Sequence, residues 1–157
     1  MGIIDKRLTE CGITLPPAAA PVGNYVAYTV SGQYVHISGQ LPLENGAMAV
    51  KGILGDSLDV EAGYRAARIC ALNLIAQLKE ACGGDLDRVE RVLKLGGFVS
   101  ATADFHDAPK CVNGASDLMV EVFGEAGKHA RFAVGVASLP AGAAVEVDGL
   151  FEISASV

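Results

Sequence analysis

The chain has 157 residues, of which 12 are basic and 18 acidic, so its formal net charge at pH 7 is −6. It is 51% hydrophobic and 19% charged, whereas soluble domains are typically about 25% charged. This composition excludes intrinsic disorder, which needs low hydrophobicity and high charge. The net acidity disfavours general nucleic-acid binding, because that depends on Lys and Arg neutralising phosphates.

The length predicts a single domain over residues 1–157, without a membrane span. Residues 11–43 carry no Asp, Glu, Lys or Arg, but prolines and several polar side chains interrupt this run, so it cannot cross a bilayer. The first ten residues mix acids and bases and lack the apolar stretch of a secretory signal. We therefore expect a soluble, cytoplasmic protein without membrane contact.

The chain is predicted to begin with a short amphipathic helix and a proline-rich arm. Apolar residues between Ile3 and Cys11 recur at helical spacing, and Gly12 is a typical stop. Residues 15–21 (LPPAAAP) must be extended, because proline excludes helix. Residues 1–21 thus form a helix and an arm ahead of the rest of the domain.

A β-hairpin and a second tight turn follow. Residues 25–30 and 34–38 are rich in β-branched and aromatic side chains, and the Ser31-Gly32-Gln33 segment between them is typical of a hairpin turn. Glu44-Asn45-Gly46 is another turn signal, after which a short strand or loop runs through residues 48–53.

The clearest helix spans residues 59–81, where apolar side chains alternate at spacings of four and three. Gly83-Gly84 ends this helix. Residues 88–100 have the pattern of a strand, in which Gly96-Gly97 indicates a bulge or a close backbone approach.

A second main helix is predicted to begin at Asp107, with Pro109 in its first turn. Two strands follow, over residues 131–138 and 143–153. The order of elements predicts an α/β (α+β) fold, in which a mixed sheet has two main helices packed on one face. Cys70 and Cys111 fall in helical apolar patterns and are predicted to be buried core thiols.

No metal or cofactor is expected. The four cysteines show no C-x-x-C spacing, no dinucleotide fingerprint or phosphate loop follows a strand, and no convincing metal cluster occurs.

The strand at residues 131–137 (RFAVGVA) carries the most informative alternation. Because side chains alternate across a strand, Phe132, Val134 and Val136 are predicted to face the helix-covered core. The opposite face would then carry small side chains and one guanidinium: Arg131, Ala133, Gly135 and Ala137. A neighbouring subunit or a ligand is expected to cover that face. A desolvated arginine there would need an anion, such as a carboxylate.

Two alternatives stay open for the charged residues. Arg131 could instead be a surface arginine paired with Glu125 or Asp148. Glu146 lies between two valines that share a face, so it points to the other face. If that face adjoins the small-residue surface, Arg131 and Glu146 line one cleft and the carboxylate could deprotonate a water. Otherwise Glu146 is an exposed strand residue.

Three motifs occur in order along the chain: G-N-Y at residues 23–25, I-S-G-Q-L-P at residues 37–42, and R-x-x-V-x-V-x-x-L-P-x-x-x-x-V-E at residues 131–146. Together they resemble the YjgF/Rid family, also called endoribonuclease L-PSP-like, and the resemblance runs from about Val22 to Ile153. It implies a chorismate-mutase-like fold and a homotrimer with clefts between subunits. In deaminating members it implies hydrolysis of reactive 2-imino or 2-enamino acids to 2-keto acids and ammonia.

The resemblance also implies roles for individual residues. Arg131 matches the arginine that holds the substrate carboxylate, and Glu146 matches the glutamate that positions the hydrolytic water. Residues that match the lining of the cleft are Tyr25, Ser38, Gly39, Asn113 and Ala133. His129, two residues before Arg131, is predicted to share its face and could contact the cleft. The implied partners are a small imino or keto acid and further copies of the chain, whereas the acidic net charge argues against nucleic acid as a partner.

The sequence also departs from the best-known deaminases. The segment between Asn113 and Arg131 is longer by about one helical turn, and Phe132 replaces a small residue. A non-catalytic trimer that binds small carboxylates is therefore a second hypothesis. Endoribonuclease activity is a third, with little support from three histidines that lie far apart in sequence. A chorismate-mutase-like rearrangement is a fourth, although a second cationic residue for a dicarboxylate is not evident.

Overall fold

A computed structural model describes residues 1–156 of the chain. This part of the chain contains three α-helices, seven strands and three short 3₁₀ turns. The helices are α1 (Ile3–Glu10), α2 (Val60–Ala81) and α3 (Ala108–Phe123). The strands are β1 (Tyr28–Ser31), β2 (Tyr34–Gln40), β3 (Leu43–Glu44), β4 (Ala47–Met48), β5 (Val89–Ser100), β6 (Ala130–Val136) and β7 (Val145–Ile153).

Five strands form one mixed sheet in the order β1-β2-β7-β5-β6, in which β5 and β6 run parallel and the other neighbours antiparallel. β3 and β4 form a separate small hairpin, whose turn places Asn45 and Gly46 at positive φ. Both α2 and α3 pack on the same face of the large sheet and against each other. The predicted α+β arrangement, with a mixed sheet and its two main helices on one face, is confirmed.

The core lies between this sheet face and the two helices. Leu74, Leu118 and Phe151 are fully buried there, as are Cys70 and Cys111, which were predicted to be core thiols. The predicted close backbone approach is also confirmed. A Cβ built on Gly97 would lie 2.6 Å from a methyl carbon of Val112, so α3 packs directly on the backbone of β5.

The faces of β6 are the reverse of the prediction. Arg131 bonds to α3 and Ala133 packs against the core. Phe132 and Val134 lie on the opposite face, where they are 36% and 44% exposed. The prediction assigned the larger side chains to the core. However, α3 lies so close to the neighbouring backbone of Gly97 that only a small side chain fits beneath it on β6.

We call the sheet face turned away from the helices the open face. It carries Phe98, Phe132, Val134, Glu146 and Asp148, which occupy neighbouring positions on β5, β6 and β7. The rings of Phe98 and Phe132 make an edge-to-face contact with centroids 5.3 Å apart. The open face is apolar and incompletely covered, but it carries the large side chains that were predicted to face the core, so the predicted small-residue face was wrong.

The N-terminal helix and the arm are attached to the rest of the molecule by specific contacts. The Asp87 carboxylate accepts hydrogen bonds from the backbone N–H groups of Ile3 and Ile4, both at 2.8 Å, and so caps α1 from a distant part of the chain. The buried Gln77 amide donates to the carbonyl of Ala19 at 2.7 Å, which holds the arm against α2.

Residues 15–21 form neither helix nor strand, in agreement with the prediction. Within residues 1–156, none of the helices has the length and apolar character needed to cross a membrane.

Candidate functional site

The residues singled out from the sequence fall into two groups on opposite faces of the large sheet. The first group, called the arginine cluster, is built from α3, β6 and the residue just before β6, and comprises Asn113, His129, Arg131 and Ala133. Ser116 of α3, which the sequence did not single out, completes this cluster. The second group, called the glutamate pocket, is built from the segment before β1 and from β2 and β7. It comprises Tyr25, Ser38, Gly39 and Glu146.

Arg131 is the centre of the arginine cluster. Its Nη1 donates to Oδ1 of Asn113 at 2.9 Å and to Oγ of Ser116 at 3.1 Å, and its Nη2 donates to the carbonyl of Pro109 at 3.4 Å. The first two acceptors stand three residues apart on α3, so they share one helix face. These contacts fix the plane of the guanidinium against α3.

No carboxylate neutralises Arg131 within residues 1–156. The two acids proposed as its surface partners are occupied or distant: Glu125 pairs with Lys128 at 2.8 Å, and Asp148 lies on the open face. Nη1 uses both of its hydrogens on α3, while no described residue accepts from Nε. Nη2 gives one of its two hydrogens to the Pro109 carbonyl, which leaves Nε–H and the second Nη2 hydrogen for an external anion. A carboxylate can bind such a pair of donors with both oxygens.

His129 contacts the arginine cluster through Ser116 rather than directly. Its Nδ1 lies 2.6 Å from the carbonyl of Gly127, and its Nε2 lies 2.8 Å from Oγ of Ser116. A carbonyl oxygen can only accept, so Nδ1 carries a proton. In the neutral imidazole Nε2 is then the acceptor, and the Ser116 hydroxyl donates to it.

A cavity of about 300 Å³ is lined by three residues of the glutamate pocket, Tyr25, Ser38 and Gly39, but not by Glu146. Pro140 and residues 19–22 of the arm also line it. The Ser38 hydroxyl donates to the carbonyl of Val26 at 2.9 Å and the Ser38 backbone N–H donates to the carbonyl of Ala27 at 2.8 Å, so Ser38 is tied to the segment before β1.

Glu146 lies directly beside Gly39. A Cβ at Gly39 would overlap the Glu146 carboxylate, so only glycine permits this approach between β2 and β7. Glu146 is half-buried, and the pKa of its carboxyl is raised, first by burial and then by the neighbouring charge of Asp148. A carboxylate with a raised pKa is a better proton acceptor than an exposed one.

Arg131 and Glu146 do not line one cleft within a single chain. Arg131 lies on the helix-covered face of β6, Glu146 lies on the open face of β7, and β5 separates the two strands. Of the two alternatives that the sequence left open, a face shared by Arg131 and Glu146 does not occur within one subunit, because it depended on an assignment of the β6 faces that the structure reverses. The predicted orientation of Glu146, opposite to the two buried valines beside it, is confirmed.

Two residues that support the arginine cluster, Ser116 and Gly127, were not found from the sequence. Ser116 could have been suspected, because it stands three residues after Asn113 and so shares its helix face. The Gly127 carbonyl could not, since its position depends on the 3₁₀ turn over Gly124–Gly127. Within residues 1–156, no three His, Cys, Asp or Glu side chains converge as a metal site would require.

The fold is of the chorismate-mutase-like class. The chain belongs to the family described as "YjgF/chorismate mutase-like, putative endoribonuclease", whose model matches residues 5–151.

Several individual proteins are similar over almost the whole chain. Protein TCP17 of Trypanosoma cruzi is 52% identical over 154 residues, which are 98% of this chain and 96% of that protein. The crystal structure of Atu1372 from Agrobacterium tumefaciens, a protein of unknown function, is 50% identical with a TM-score of 0.90 and covers 96% of this chain and 92% of its own. The crystal structure of a protein described as a "putative endoribonuclease" from Shewanella oneidensis MR-1 is 38% identical with a TM-score of 0.92, and the match covers 97% of this chain and 100% of that one.

Proposed function

We propose that the protein hydrolyses reactive 2-imino and 2-enamino acids to 2-keto acids and ammonia, in clefts between the subunits of a homotrimer. The observation that carries the proposal is the state of Arg131. Its guanidinium is held rigidly by α3, has no carboxylate partner within the described residues, and leaves the Nε–Nη2 edge for a carboxylate. Family membership supports the same substrate class, through the match of Arg131 and Glu146 to the residues of deaminating members.

The opposite placement of Arg131 and Glu146 supports a site shared between subunits. A substrate small enough to be an amino-acid derivative cannot contact both side chains of one chain, because the sheet separates them. A second copy that places its glutamate pocket against the arginine cluster of the first brings Glu146 and Arg131 to the same substrate. The exposed Phe132 and Val134 of the open face supply apolar surface for such an association.

In the proposed reaction Arg131 binds the carboxylate of the imino acid with both oxygens. Glu146 of the neighbouring copy takes a proton from water as the water oxygen attacks C2, and the C=N bond becomes a C–N single bond. The same carboxyl then returns the proton to nitrogen. The hydroxyl of the resulting carbinolamine then gives its proton to the amino nitrogen through the same carboxyl, its oxygen forms the keto group, and the C–N bond breaks as ammonia leaves. Water is the only co-reactant, so the step is balanced without metal or redox cofactor.

Removing the arginine tests this assignment. Imino acids are generated by an amino-acid oxidase in the presence of a semicarbazide trap, and acceleration of their hydrolysis lowers the yield of trapped product. We expect Arg131→Ala to reduce the rate by about ten- to a hundredfold, the equivalent of losing a charged hydrogen-bond pair. Arg65→Ala is the control, because Arg65 pairs with Glu44 on an exposed surface. Wild-type protein that does not accelerate hydrolysis over buffer, or full activity of Arg131→Ala, would contradict the proposal.

The same Arg131 geometry favours one second candidate, a trimer that binds small carboxylates without turning them over. The two candidates separate in a single comparison. Keto acids would bind to the wild type and not to Arg131→Ala in both cases, but only the enzyme would shorten the lifetime of the imine.

The structure gives little support to an RNA-cleaving role. His36 lies on β2 and His129 in the arginine cluster, on different elements of the fold, and the chain is net acidic. RNA cleavage that survives substitution of Arg131 and of the three histidines would be due to a contaminant.

A further inference from the structure

The hydrogen bonds from Gly127 through His129 and Ser116 to Arg131 form a chain in which the direction of each bond sets the direction of the next. The Gly127 carbonyl accepts from His129 Nδ1, so in the neutral imidazole His129 Nε2 accepts from the Ser116 hydroxyl. The hydroxyl hydrogen is thereby directed to the histidine. The lone pairs of Ser116 Oγ are left to accept from Nη1 of Arg131 at 3.1 Å.

Without His129 the serine would have a competing partner. A hydroxyl in the middle of a helix ordinarily donates to the carbonyl four residues before it, which for Ser116 is Val112. That rotamer would direct the oxygen differently and loosen its contact with Arg131. The Ser116–His129 pair therefore selects the hydroxyl orientation that the guanidinium needs.

The longer segment between Asn113 and Arg131 supplies the fixed end of this chain. The 3₁₀ turn over Gly124–Gly127 brings the Gly127 carbonyl to the imidazole, and Gly127 itself packs on the backbone of Met119 with no room for a Cβ. The orientation of His129 is thus set by rigid backbone, in the way that a carboxylate or carbonyl orients histidines in other sites.

We propose that Ser116 and His129 are positioning residues, which fix the guanidinium of Arg131 so that its Nε–Nη2 edge presents to a substrate carboxylate. The inference rests on the proposed function for the identity of the ligand class, a small 2-keto or 2-imino acid. Asn113 alone gives Nη1 one acceptor, about which the guanidinium could rotate. The lengthened segment holds Ser116 as a second acceptor for Nη1, and this second contact stops the rotation.

Two substitutions of His129 separate positioning from a merely structural role. His129→Asn places an amide near the former Nδ1, where it can still donate to Gly127, but it removes the acceptor for Ser116. His129→Gln places its carboxamide near the former Nε2, where its oxygen can accept from Ser116, but it gives up the contact with Gly127. A positioning role predicts that the asparagine variant loses affinity and the glutamine variant keeps most of it. If His129 only stabilises the fold through its contact with Gly127, the asparagine variant should keep more thermal stability than the glutamine variant, and neither should change binding.

The measurement is calorimetric binding of pyruvate and of 2-oxobutanoate to the full-length protein, with turnover of the corresponding imines. We expect Ser116→Ala and His129→Asn to weaken binding by about five- to tenfold, the scale of one lost hydrogen bond to a charged group. We expect KM to rise by a similar factor while kcat stays near the wild-type value, because Glu146 is untouched. His129→Gln should stay within about twofold of the wild type.

Two outcomes would overturn the inference. The first is wild-type affinity and KM in both Ser116→Ala and His129→Asn, provided that Arg131→Ala abolishes binding. The second is covalent labelling of Ser116 by a fluorophosphonate, which would make the pair a nucleophile and base instead. If Arg131→Ala itself leaves binding and turnover unchanged, the proposed function fails as well. The two failures are therefore distinguishable.

Discussion

Arg131 and Glu146 lie on opposite faces of one sheet, with strand β5 between the strands that carry them. Each has its own supporting residues: Asn113 and Ser116 hold the guanidinium, and the backbone of Gly39 lies against the carboxylate. A site that uses both must therefore join two copies of the chain. Because of this relationship, the proposed activity depends on assembly.

Assembly through the open face predicts that a charge there separates the subunits. Val134→Asp places a carboxylate on the most exposed large apolar residue of β6, where burial against a neighbour would cost several kcal/mol. We expect light scattering to show a monomer and the imine-hydrolysis rate to fall to the level of buffer. Val120→Asp is a matched control, because Val120 is similarly exposed, at 38%, but lies on α3. A Val134→Asp variant that keeps the wild-type mass and rate would contradict assembly through this face.

The raised pKa of Glu146 predicts how activity responds to acid. A general base must be ionised, so activity declines as the pH falls through the pKa of Glu146. Asp148→Asn removes a neighbouring negative charge, although burial, the larger cause of the raised pKa, stays. The acid limb of the kcat/KM profile should therefore move to lower pH in this variant.

The control for that pH shift is Glu152→Gln, which removes a charge from the same strand further from Glu146. Its acid limb should coincide with that of the wild type. An Asp148→Asn limb that does not move, or that moves to higher pH, would show that Glu146 is not the base.

The remote cap on α1 predicts a pH-dependent contribution to stability. The backbone N–H groups of Ile4 and Ile3 hold the pKa of Asp87 below its ordinary value. A lowered carboxyl pKa stabilises the folded state above the unfolded-state pKa, and this stabilisation is lost as the pH falls through the folded-state value. Asp87→Ala should lower the free energy of unfolding by about 1 kcal/mol at pH 7.

Urea unfolding measures this effect, with Asp56→Ala as a control at another exposed aspartate. The difference between the wild type and Asp87→Ala should shrink as the pH falls into the acid range where Asp87 is protonated. An undiminished difference there would mean that Asp87 contributes by packing and not by its charge.

The order and type of the main elements followed from the sequence, because periodicity, turn residues and caps act locally. The apolar stripe of α2, the glycines that end it and the glycine turn after Ser31 needed no tertiary information. The orientation of β6 did not follow in this way. Of the two sets of side chains that alternate along a strand, the larger usually faces the core. In β6, however, the tight contact of α3 with β5 leaves room beneath the helix only for the small side chain of Ala133.

The site was predictable only in part, for a related reason. The family motifs identified Arg131 and Glu146, and strand alternation placed Glu146 opposite its valine neighbours. The hydrogen bonds that orient Arg131 come from Ser116 and from a 3₁₀ turn that a linear pattern does not reveal. Strand alternation also carries no information on whether two functional faces belong to one subunit or to two.

Complementation between two inactive variants tests the central claim most directly. Arg131→Ala and Glu146→Gln each remove one half of the site, so each homotrimer should be inactive. If every cleft takes its arginine from one subunit and its glutamate from the next, subunits mixed by co-expression will form some clefts with both residues intact. With equal and random mixing about one quarter of the clefts are intact.

We predict about one quarter of the wild-type imine-hydrolysis rate from the mixed trimers, and the background rate from the two homotrimers combined without subunit exchange. A mixed assembly, verified by mass spectrometry, that shows only the background rate would contradict a site shared between subunits.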